Sequence, residues 1–376
     1  MDSIKSTPGS EEPRVGHLRV LHVINQPDGG GAERVVRELN RTLPHHGVES
    51  RVVYFCNPRR RPLESTETEL GCAGPRDWRA ALRLERYLND FNSDEWIVHA
   101  HLTRPLYLVG ALPRARRFRR VYTEHSTWNR RRKHGWLRYV ERFVYSRYDR
   151  LACVSRGALD ALRGWLGDDI VSSHAQVVGN GGRLLAPKRD FTPPSNGVRL
   201  ISVGSLYEHK GLACAIEALA HVESGVKRYT LVGTGPERAN LAAHAEKLGL
   251  TDKVQFLGWR EDVGDLLRSA DILLVPSRWE GFCLSAMEGL SVGLPMVTSD
   301  VPGLSDVVGN LPGVLRVEQR DPRSLAAAID RMVEARDEWP NYAPASVERA
   351  RLYSIENMAR GYARLYRRIA NEAVEP

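Results

Sequence analysis

Short runs of apolar residues alternate along this chain with segments long enough to form helices, and this alternation constrains the fold more than any other feature. The runs are rich in β-branched residues and lack polar alternation, which is typical of strands buried on both faces. Alternating strands and helices predict parallel sheets covered by helices. We predict strands at residues 18–24, 51–55, 96–99, 121–123, 151–154, 198–203, 229–232, 254–257, 271–275, 295–298 and 314–317.

The alternation forms two similar halves, separated by a segment that shows neither pattern. Residues 184–197 contain three prolines and few large apolar side chains, a composition typical of a linker. Doubly wound sheets bind ligands beyond the carboxyl ends of their strands, so two such domains predict a site in the cleft between them. We predict a disordered tail at 1–17, a first domain at 18–184, a linker at 185–197, a second domain at 198–354, and a terminal helix within 355–376 that can pack back on the first domain.

Segments that would place the chain in or across a membrane are not expected. No apolar run reaches the ~18–20 residues that cross a bilayer, and the first seventeen residues lack the apolar stretch of a secretory signal. The five cysteines are scattered and have no metal-ligand spacing. These features favour a cytoplasmic protein with reduced thiols.

The positive charge of the chain is concentrated in one block. The net charge is +8, whereas residues 111–150 alone hold 13 basic and 3 acidic residues, a net +10. Such a block indicates an anionic partner, namely a lipid surface, a phosphate group or a nucleic acid. A solvated basic face without a partner is the alternative. No recognised nucleic-acid motif accompanies the block, so we do not expect nucleic acid to bind.

A glycine-rich turn follows the first predicted strand. Residues 25–34 read NQPDGGGAER and lead into a helix-length segment. Three glycines let backbone N–H groups approach a ligand closely, and the N-terminus of the following helix favours an anion. The spacing is not that of a dinucleotide fingerprint. The turn is therefore either an anion site or simply a tight connection.

The second half opens with a similar turn that carries a lysine. Residues 204–211 read GSLYEHKG, and residues 233–238, after the next strand, read GTGPER. Lys210, held at a strand–helix turn, can direct its ammonium group at a phosphate. Considered alone, however, Lys210 is better explained as an ordinary surface lysine, and the GxG of the later turn is a weak signal.

The most specific stretch follows the strand predicted at 271–275. It reads PSRWEGFCLSAMEG, with Glu280 in the loop and Glu288 one turn into a helix-like segment. This pattern suits a nucleotide sugar. The helix N-terminus takes the diphosphate, the backbone of Gly281 and Phe282 offers donors, and the two carboxylates accept hydrogen bonds from sugar and ribose hydroxyls.

Glu280 and Glu288 resemble the E-x7-E motif of family-4 glycosyltransferases. Further segments resemble that family in the same order: GGGAER its N-terminal glycine loop, GSLYEHKG its G-R-L-x-x-x-K-G loop, GTGP its G-x-G-P loop, and LPMVTSD its G-L-P-V-V-A-S-D run. The resemblance extends from Leu18 to Tyr366. It implies an α/β chain of GT-B fold, with two Rossmann-like domains facing a central cleft. It also implies a retaining glycosyltransferase, of hexosyltransferase type, that uses a nucleotide diphosphate sugar.

The resemblance assigns roles in the donor site to matching positions. Gly30 and Gly31 would lie under the diphosphate, which Lys210 would neutralise. Glu280, with the backbone of residues 281–284, would hold the transferred sugar. Glu288 would bind the ribose.

The predicted site draws on both domains. His125, which considered alone is a structural histidine, matches the family's histidine beside the reacting sugar. Residues 257–260 would contact the base. The predicted catalytic residues are His125, Lys210 and Glu280, and the predicted donor-binding residues are Gly30, Gly31, Ser205, Lys210, Gly233, Trp259, Arg260, Glu280, Gly281, Phe282, Cys283, Leu284 and Glu288.

The sequence departs from the family pattern at the phosphate site. Ser205 stands where the family has an arginine, so Lys210 remains from the usual basic pair, and Arg34 and Arg183 are candidates to replace the missing charge. Cys283 stands where the family has proline or glycine. The resemblance implies transfer without a metal or other cofactor, and no Asp-x-Asp pair follows a predicted strand. No enzymic nucleophile is expected.

The basic block narrows the acceptor. In residues 130–145 arginines are interleaved with aromatic and aliphatic residues, a composition typical of a helix on anionic lipid. We therefore expect a glycan or lipid-pyrophosphate-linked acceptor of bacterial surface polysaccharide synthesis, met at the inner face of a membrane. The alternative is a nucleotide-sugar epimerase or hydrolase of the same fold, which would bind the donor and transfer nothing.

Overall fold

The structure is a computed structural model that describes residues 18–74, 77–192 and 197–372. The predicted tail at 1–17 and linker residues 193–196 lie outside the described residues. Within them, the chain forms two parallel sheets covered by helices, which confirms the predicted fold class. The first sheet has seven strands and the second has six.

The first sheet comprises β1 (Leu18–Ile24), β2 (Val48–Tyr54), β3 (Glu67–Glu69), β4 (Trp96–His101), β5 (Arg119–Glu124), β6 (Arg150–Cys153) and β7 (Ala175–Val177), in the order β3-β2-β1-β4-β5-β6-β7. Its helices are α1 (Gly31–Thr42), α2 (Ala80–Tyr87), α3 (Thr103–Ala111), α4 (Leu137–Tyr145), α5 (Arg156–Leu166) and α6 (Asp168–His174). Short 3-10 turns lie at Leu43–His46, Leu88–Phe91 and Arg130–Lys133.

The second sheet comprises β8 (Val198–Val203), β9 (Val226–Val232), β10 (Val254–Gly258), β11 (Ile272–Val275), β12 (Met296–Ser299) and β13 (Val314–Val317), in the order β10-β9-β8-β11-β12-β13. The helices after it are α7 (Leu212–Ala218), α8 (Arg238–Lys247), α9 (Val263–Ser269), α10 (Leu284–Val292), α11 (Leu304–Val308), α12 (Pro322–Glu334), α13 (Trp339–Arg351) and α14 (Ile355–Asn371). Turns of 3-10 helix lie at Glu208–Lys210 and Arg336–Glu338.

Central strands match the predicted runs because burial on both faces demands apolar residues throughout. β4 and β11 are buried at every position. The sequence analysis missed β3 and β7, which lie at the two edges of the first sheet. Each has three residues and is mostly exposed or half-buried, so neither contains an apolar run.

The C-terminal helix α14 leaves the second domain and packs on the first. It begins at Ile355, and the hydroxyl of the preceding residue, Ser354, accepts a hydrogen bond from the Asn357 backbone N–H as an N-cap. Its buried face, including Met358 and Tyr362, packs in one cluster with side chains of β1, β4 and β5. Helix α14 therefore covers part of one face of the first sheet.

The segment predicted as one amphipathic helix at 130–145 is divided in two. A 3-10 turn covers Arg130–Lys133, and α4 starts at Leu137. The side chain of Asn129 caps the first piece by accepting from the Arg132 backbone N–H. Among the described residues, no helix is both long and apolar enough to cross a membrane.

Candidate active site

The loops at the carboxyl ends of both sheets face each other, and two helix N-termini meet there. α1 begins at Gly31 and α10 at Leu284. A Cβ added at Gly31 would lie 3.2 Å from Leu284 Cδ1. The predicted glycine loop of the first domain and the loop predicted to hold the sugar, residues 280–284, are therefore neighbours. Both helices direct the positive end of their dipole at this point, which suits an anionic group.

The buried carboxylate of Glu33 lies against the glycine loop. A side chain added at Gly29 would approach Glu33 Oε1 to 2.8 Å. Burial raises the pKa of Glu33, and backbone hydrogen bonds of Glu33 and Gly30 oppose this. The chain therefore places its own acidic group in the first turn of α1, where Gly30 and Gly31 were predicted to lie under a diphosphate.

Lys210 and Glu280 form the central ion pair of the cleft. Lys210 Nζ lies 2.7 Å from Glu280 Oε1, which also accepts a 2.7 Å hydrogen bond from the Ser277 hydroxyl. The next residue, Gly211, has φ of +66°, and a Cβ there would lie 1.9 Å from the Pro276 carbonyl oxygen. Only glycine permits this approach, which brings Lys210 beside the loop that carries Glu280.

Both members of this pair are charged. Burial alone would raise the pKa of Glu280, but the Lys210 ammonium and the Ser277 hydroxyl hold it below its ordinary value. Burial would likewise lower the pKa of Lys210, and the Glu280 carboxylate more than offsets this effect. The site therefore holds a fixed cation and a fixed anion, a polar environment organised before any substrate arrives.

His125 and the Glu280 loop meet across the domain boundary. A Cβ on Gly281 would lie 1.9 Å from the His125 carbonyl oxygen, so that only glycine fits. The Thr127 hydroxyl donates a 2.9 Å hydrogen bond to the Glu280 carbonyl oxygen. The structure thus joins the predicted histidine of the first domain to the predicted sugar-binding loop of the second.

The side chains of the predicted residues Phe282 and Cys283 are buried. Phe282 is buried edge-to-face against Tyr353, with ring centroids 5.1 Å apart. Cys283 has φ of +65°, an unusual conformation for a side chain of any size. Burial raises the pKa of its thiol to about 12, so the sulfur is protonated and inert near neutral pH.

Glu288 is buried in α10 and paired with Arg34 from the other domain. Arg34 Nη1 lies 2.6 Å from Glu288 Oε1, and the Arg34 side chain is 42% exposed. Burial raises the pKa of Glu288, and the Arg34 guanidinium opposes this. Arg34 was a candidate phosphate cation, but in this structure it is bound to a carboxylate. Arg183, the other candidate, is exposed.

Of the remaining predicted residues, Ser205 and Gly233 lie in turns that pack on each other, whereas Trp259 and Arg260 lie at an exposed edge of the second domain. A Cβ on Gly233 would lie 2.0 Å from the Gly204 carbonyl oxygen, so the GxG turn packs directly on the loop that holds Ser205. Trp259 is 67% exposed beyond the edge strand β10, and the Arg260 guanidinium binds Asp262. Within the described residues, neither Trp259 nor Arg260 forms a hydrogen bond or an ion pair with Lys210 or Glu280.

A group of buried histidines lies beneath His125. Imidazole nitrogens of His22, His99 and His101 lie within 4.8 Å of one another, a spacing that could hold a metal ion. Hydrogen bonds already engage them. His99 bonds to Tyr366 and Thr123 at 2.7 Å, and His101 bonds to His22 at 3.0 Å and to His125 at 3.1 Å. The donor set fits a metal chemically, but binding would require these hydrogen bonds to break.

Two family models match the chain. The model of Glycosyltransferase Family 4 matches residues 29–181, and that of Glycosyl transferases group 1 matches residues 187–348. The first model matches the first domain and the second model matches the second domain. Together the two matches include the loops that form the cleft. The chain belongs to glycosyltransferase family 4. It is therefore a nucleotide-sugar glycosyltransferase, and the retaining mode predicted above fits this family.

Relatives and solved structures agree with this assignment. The lipopolysaccharide core biosynthesis glycosyltransferase LpsD of Rhizobium meliloti is 29% identical over 327 residues, 84% of this chain and 88% of LpsD. Sucrose-phosphate synthase from Thermosynechococcus elongatus superimposes with a TM-score of 0.82 at 20% identity, over 94% of this chain and 100% of that one. HepE of Anabaena, in complex with UDP, gives 0.74 at 18% identity, over 93% and 99%. The structural matches confirm the GT-B fold.

Several residues of this glycosyltransferase's cleft were missed in the sequence analysis. Ser277 and Thr127 hold Glu280 by its carboxylate and its carbonyl, and Trp128 packs against Trp279 with centroids 4.5 Å apart. Ser277 offered one signal, because it lies two residues after the end of a predicted strand. The histidines were also visible as His99 and His101, two apart in a strand and so on the same face.

Proposed function

We propose that this glycosyltransferase moves a sugar from a nucleoside diphosphate donor to a glycan or lipid-linked acceptor of bacterial surface polysaccharide synthesis. The observation that carries the proposal is the charged pair Lys210–Glu280, set where two helix N-termini meet. LpsD is named for lipopolysaccharide core biosynthesis, and HepE was solved with UDP. We therefore take a uridine nucleotide as the first donor to test.

The residues divide the work as follows. Lys210 and the N-termini of α1 and α10 stabilise the negative charge that develops on the leaving diphosphate. Glu280 accepts hydrogen bonds from the transferred sugar, and Glu288 accepts them from the ribose. The departing phosphate takes the proton of the acceptor hydroxyl. No side chain acts as a nucleophile, and no metal is required.

One assay tests donor, transfer and metal independence together. UDP, GDP and ADP sugars are compared by thermal shift, since a ligand at 100 times its Kd adds ~2.7 kcal/mol of stability. The preferred donor is then incubated in excess EDTA, with and without a lipid-linked oligosaccharide. We expect transfer to the acceptor and a stable donor in its absence.

Other outcomes of this assay would contradict the proposal. Rapid epimerisation or hydrolysis of the donor alone would favour the epimerase or hydrolase alternative. Loss of transfer in EDTA, with recovery on adding back Mg²⁺ or Zn²⁺, would show that the reaction uses a metal and would direct attention to the buried histidines.

We further propose that the first domain meets its acceptor at an anionic membrane surface on the cytoplasmic side, where the enzyme would be peripheral. α4 and the residue before it expose large apolar side chains: Trp136 is 65% exposed, Tyr139 76% and Phe143 64%. Exposed basic residues Arg130 and Lys133 precede them. Aromatic and basic residues side by side are what binds an anionic lipid interface. We call these residues, with Arg138 and Val140, the docking patch.

The structure corrects the predicted extent of this surface. Arg131 binds the fully buried Glu141 at 2.7 Å, and Arg132 donates to the Thr127 carbonyl at 2.9 Å. Arg142 forms an ion pair with Asp169. These three arginines hold α4 and the His125 loop on the domain. Part of the positive charge of residues 111–150 is therefore engaged in contacts within the protein and does not face a lipid surface.

Replacing Arg130, Lys133 and Arg138 by serine should weaken vesicle binding. About 1 kcal/mol per basic residue would be lost at low salt, and less at physiological ionic strength, where the Debye length is ~8 Å. The measurement is co-sedimentation with vesicles that contain phosphatidylglycerol. The matched control removes three exposed lysines of the second domain, Lys227, Lys247 and Lys253. Equal pelleting of both variants would refute the docking patch.

A further inference from the structure

Three histidines form a hydrogen-bonded chain that ends at the candidate active site. His22 Nδ1 lies 3.0 Å from His101 Nε2, and His101 Nδ1 lies 3.1 Å from His125 Nε2. His22 and His101 are 0% and 1% exposed. His125 is half-buried and lies beside Gly281 in the cleft. This row of hydrogen-bonded histidines therefore runs from the sealed interior of the first domain to the place where the sugar is expected.

Strand pairing explains why the rings line up. His22 on β1 is the direct register partner of His99 on β4, and His101 follows on the same face two residues later. The Tyr362 and Tyr366 side chains of α14 cover this face and bond to Thr123 and His99. His22, His99 and His101 are thus closed off from solvent beneath the C-terminal helix.

Neutral imidazoles in such a chain must share one direction. Burial lowers the pKa of His22 to about 3 and that of His125 to about 4, and it holds the pKa of His101 well below its ordinary value. Each ring then has one donor and one acceptor nitrogen. If His22 donates to His101, then His101 donates to His125, and His125 carries its proton on Nδ1. The opposite direction leaves the proton of His22 on Nε2.

The sealed end decides between the two directions. His22 Nε2 is buried and, in the described residues, has no hydrogen-bond partner. An unpaired buried N–H is rarer in proteins than an unpaired acceptor, so His22 keeps its proton on Nδ1 and leaves a lone pair at Nε2. His125 Nδ1 is likewise buried without a hydrogen-bond partner in the described residues, but His125 borders the cleft beside Gly281, where a bound ligand can supply the acceptor that this N–H lacks.

We propose that His22 and His101 are positioning residues that hold His125 in the Nδ1–H tautomer, so that its ring donates a hydrogen bond to a sugar hydroxyl or phosphate oxygen of the donor. The kinetic consequence rests on the proposed function, whereas the tautomer itself does not. A donor at this position suits an oxygen that gains negative charge during transfer. An acceptor nitrogen would instead repel it.

The experiment reads the tautomer directly in the full-length protein. Histidine is labelled with ¹⁵N, and long-range ¹H–¹⁵N correlation spectra near pH 7 distinguish Nδ1–H from Nε2–H rings. We expect His125 as the Nδ1–H form in the wild type. His22→Leu should shift His125 toward the Nε2–H form, because His101 loses the donor that directs it. His22→Asn, whose amide can donate from the same place, should restore the Nδ1–H form.

Kinetics and a matched control complete the test. We expect kcat to fall about tenfold in His22→Leu, with donor KM little changed and kcat recovered in His22→Asn, on the scale of one hydrogen bond. Tyr366→Phe removes a buried hydroxyl that bonds to His99, which is not a member of the hydrogen-bonded row of His22, His101 and His125. This variant should leave the His125 tautomer unchanged.

Three results would overturn the proposal: an Nε2–H His125 in the wild type, a His125 tautomer that is the same in His22→Leu, or one equivalent of zinc bound by the purified protein and lost in His22→Leu. Failure of the proposed function looks different. In that case the wild type would transfer no sugar to the acceptor in the assay described above, while the tautomer results remained as expected.

Discussion

Replacing Lys210 by alanine is expected to lower kcat by ~10²–10³-fold, the scale of losing one group that stabilises charge in the transition state. Lys210 belongs to the glycine turn of the second domain, residues 204–211, and faces the loop that carries Glu280. Ser205 supplies no second charge. The measurement is steady-state transfer at saturating donor, with donor affinity determined separately by calorimetry.

The design must separate chemistry from folding. Glu280 is only 8% exposed at its side chain, and Lys210→Ala leaves its carboxylate buried without a partner. Removing one partner of a buried ion pair commonly lowers the free energy of unfolding by about 3–5 kcal/mol. The double variant Lys210→Ala/Glu280→Gln removes both charges and should recover stability without recovering turnover. Lys227→Ala, at an exposed position of β9, is the matched control and should behave as wild type. Normal kcat in a folded Lys210→Ala protein would disprove the role.

Replacing Glu288 by alanine should weaken donor binding by roughly 10–150-fold, which corresponds to the ~1.5–3 kcal/mol of a hydrogen bond to a charged group. Glu288 lies one turn into α10, where the ribose is expected. Calorimetric titration with the nucleoside diphosphate measures the effect. Glu280→Gln should instead lower kcat with little change in affinity, because Glu280 is expected to contact the moving sugar.

Arg34 provides the control for this second prediction. It holds the Glu288 carboxylate in the structure, so a ribose must share or displace it. Arg34→Ala should leave donor binding intact or tighten it. Equal losses in Arg34→Ala and Glu288→Ala would mean that the ion pair, and not the carboxylate alone, forms the site. Unchanged affinity in Glu288→Ala would contradict the assignment outright.

The pKa of Glu288 adds a pH signature. Burial raises this pKa, so protonation occurs at a higher pH than for an ordinary glutamate. A protonated Glu288 loses the charge that strengthens its hydrogen bonds, and donor affinity should therefore fall as the pH is lowered. Glu288→Gln is neutral at every pH. Its weaker binding should show no such acid limb.

The sequence alone determined the fold class and the position of each reactive loop. Strands buried on both faces must be apolar throughout, so their runs could be recognised without neighbours. Parallel strands place all their carboxyl ends at one edge, and this made Lys210, Glu280 and His125 candidates for one cleft. Strands such as β3 escaped detection because an exposed edge imposes no such composition.

Only the tertiary structure decided which charges meet. Lys210 and Glu280 are 70 residues apart, and Arg34 and Glu288 are 254 apart. Local periodicity records which face of an element is buried, but it holds no information about the side chain opposite. The same limit applies to the basic block, where composition could not tell Arg131, bound to Glu141, from the exposed Arg130. The histidine chain likewise depends on the register of β1 with β4 and on the return of α14, because side chains pair only where packed elements bring them together.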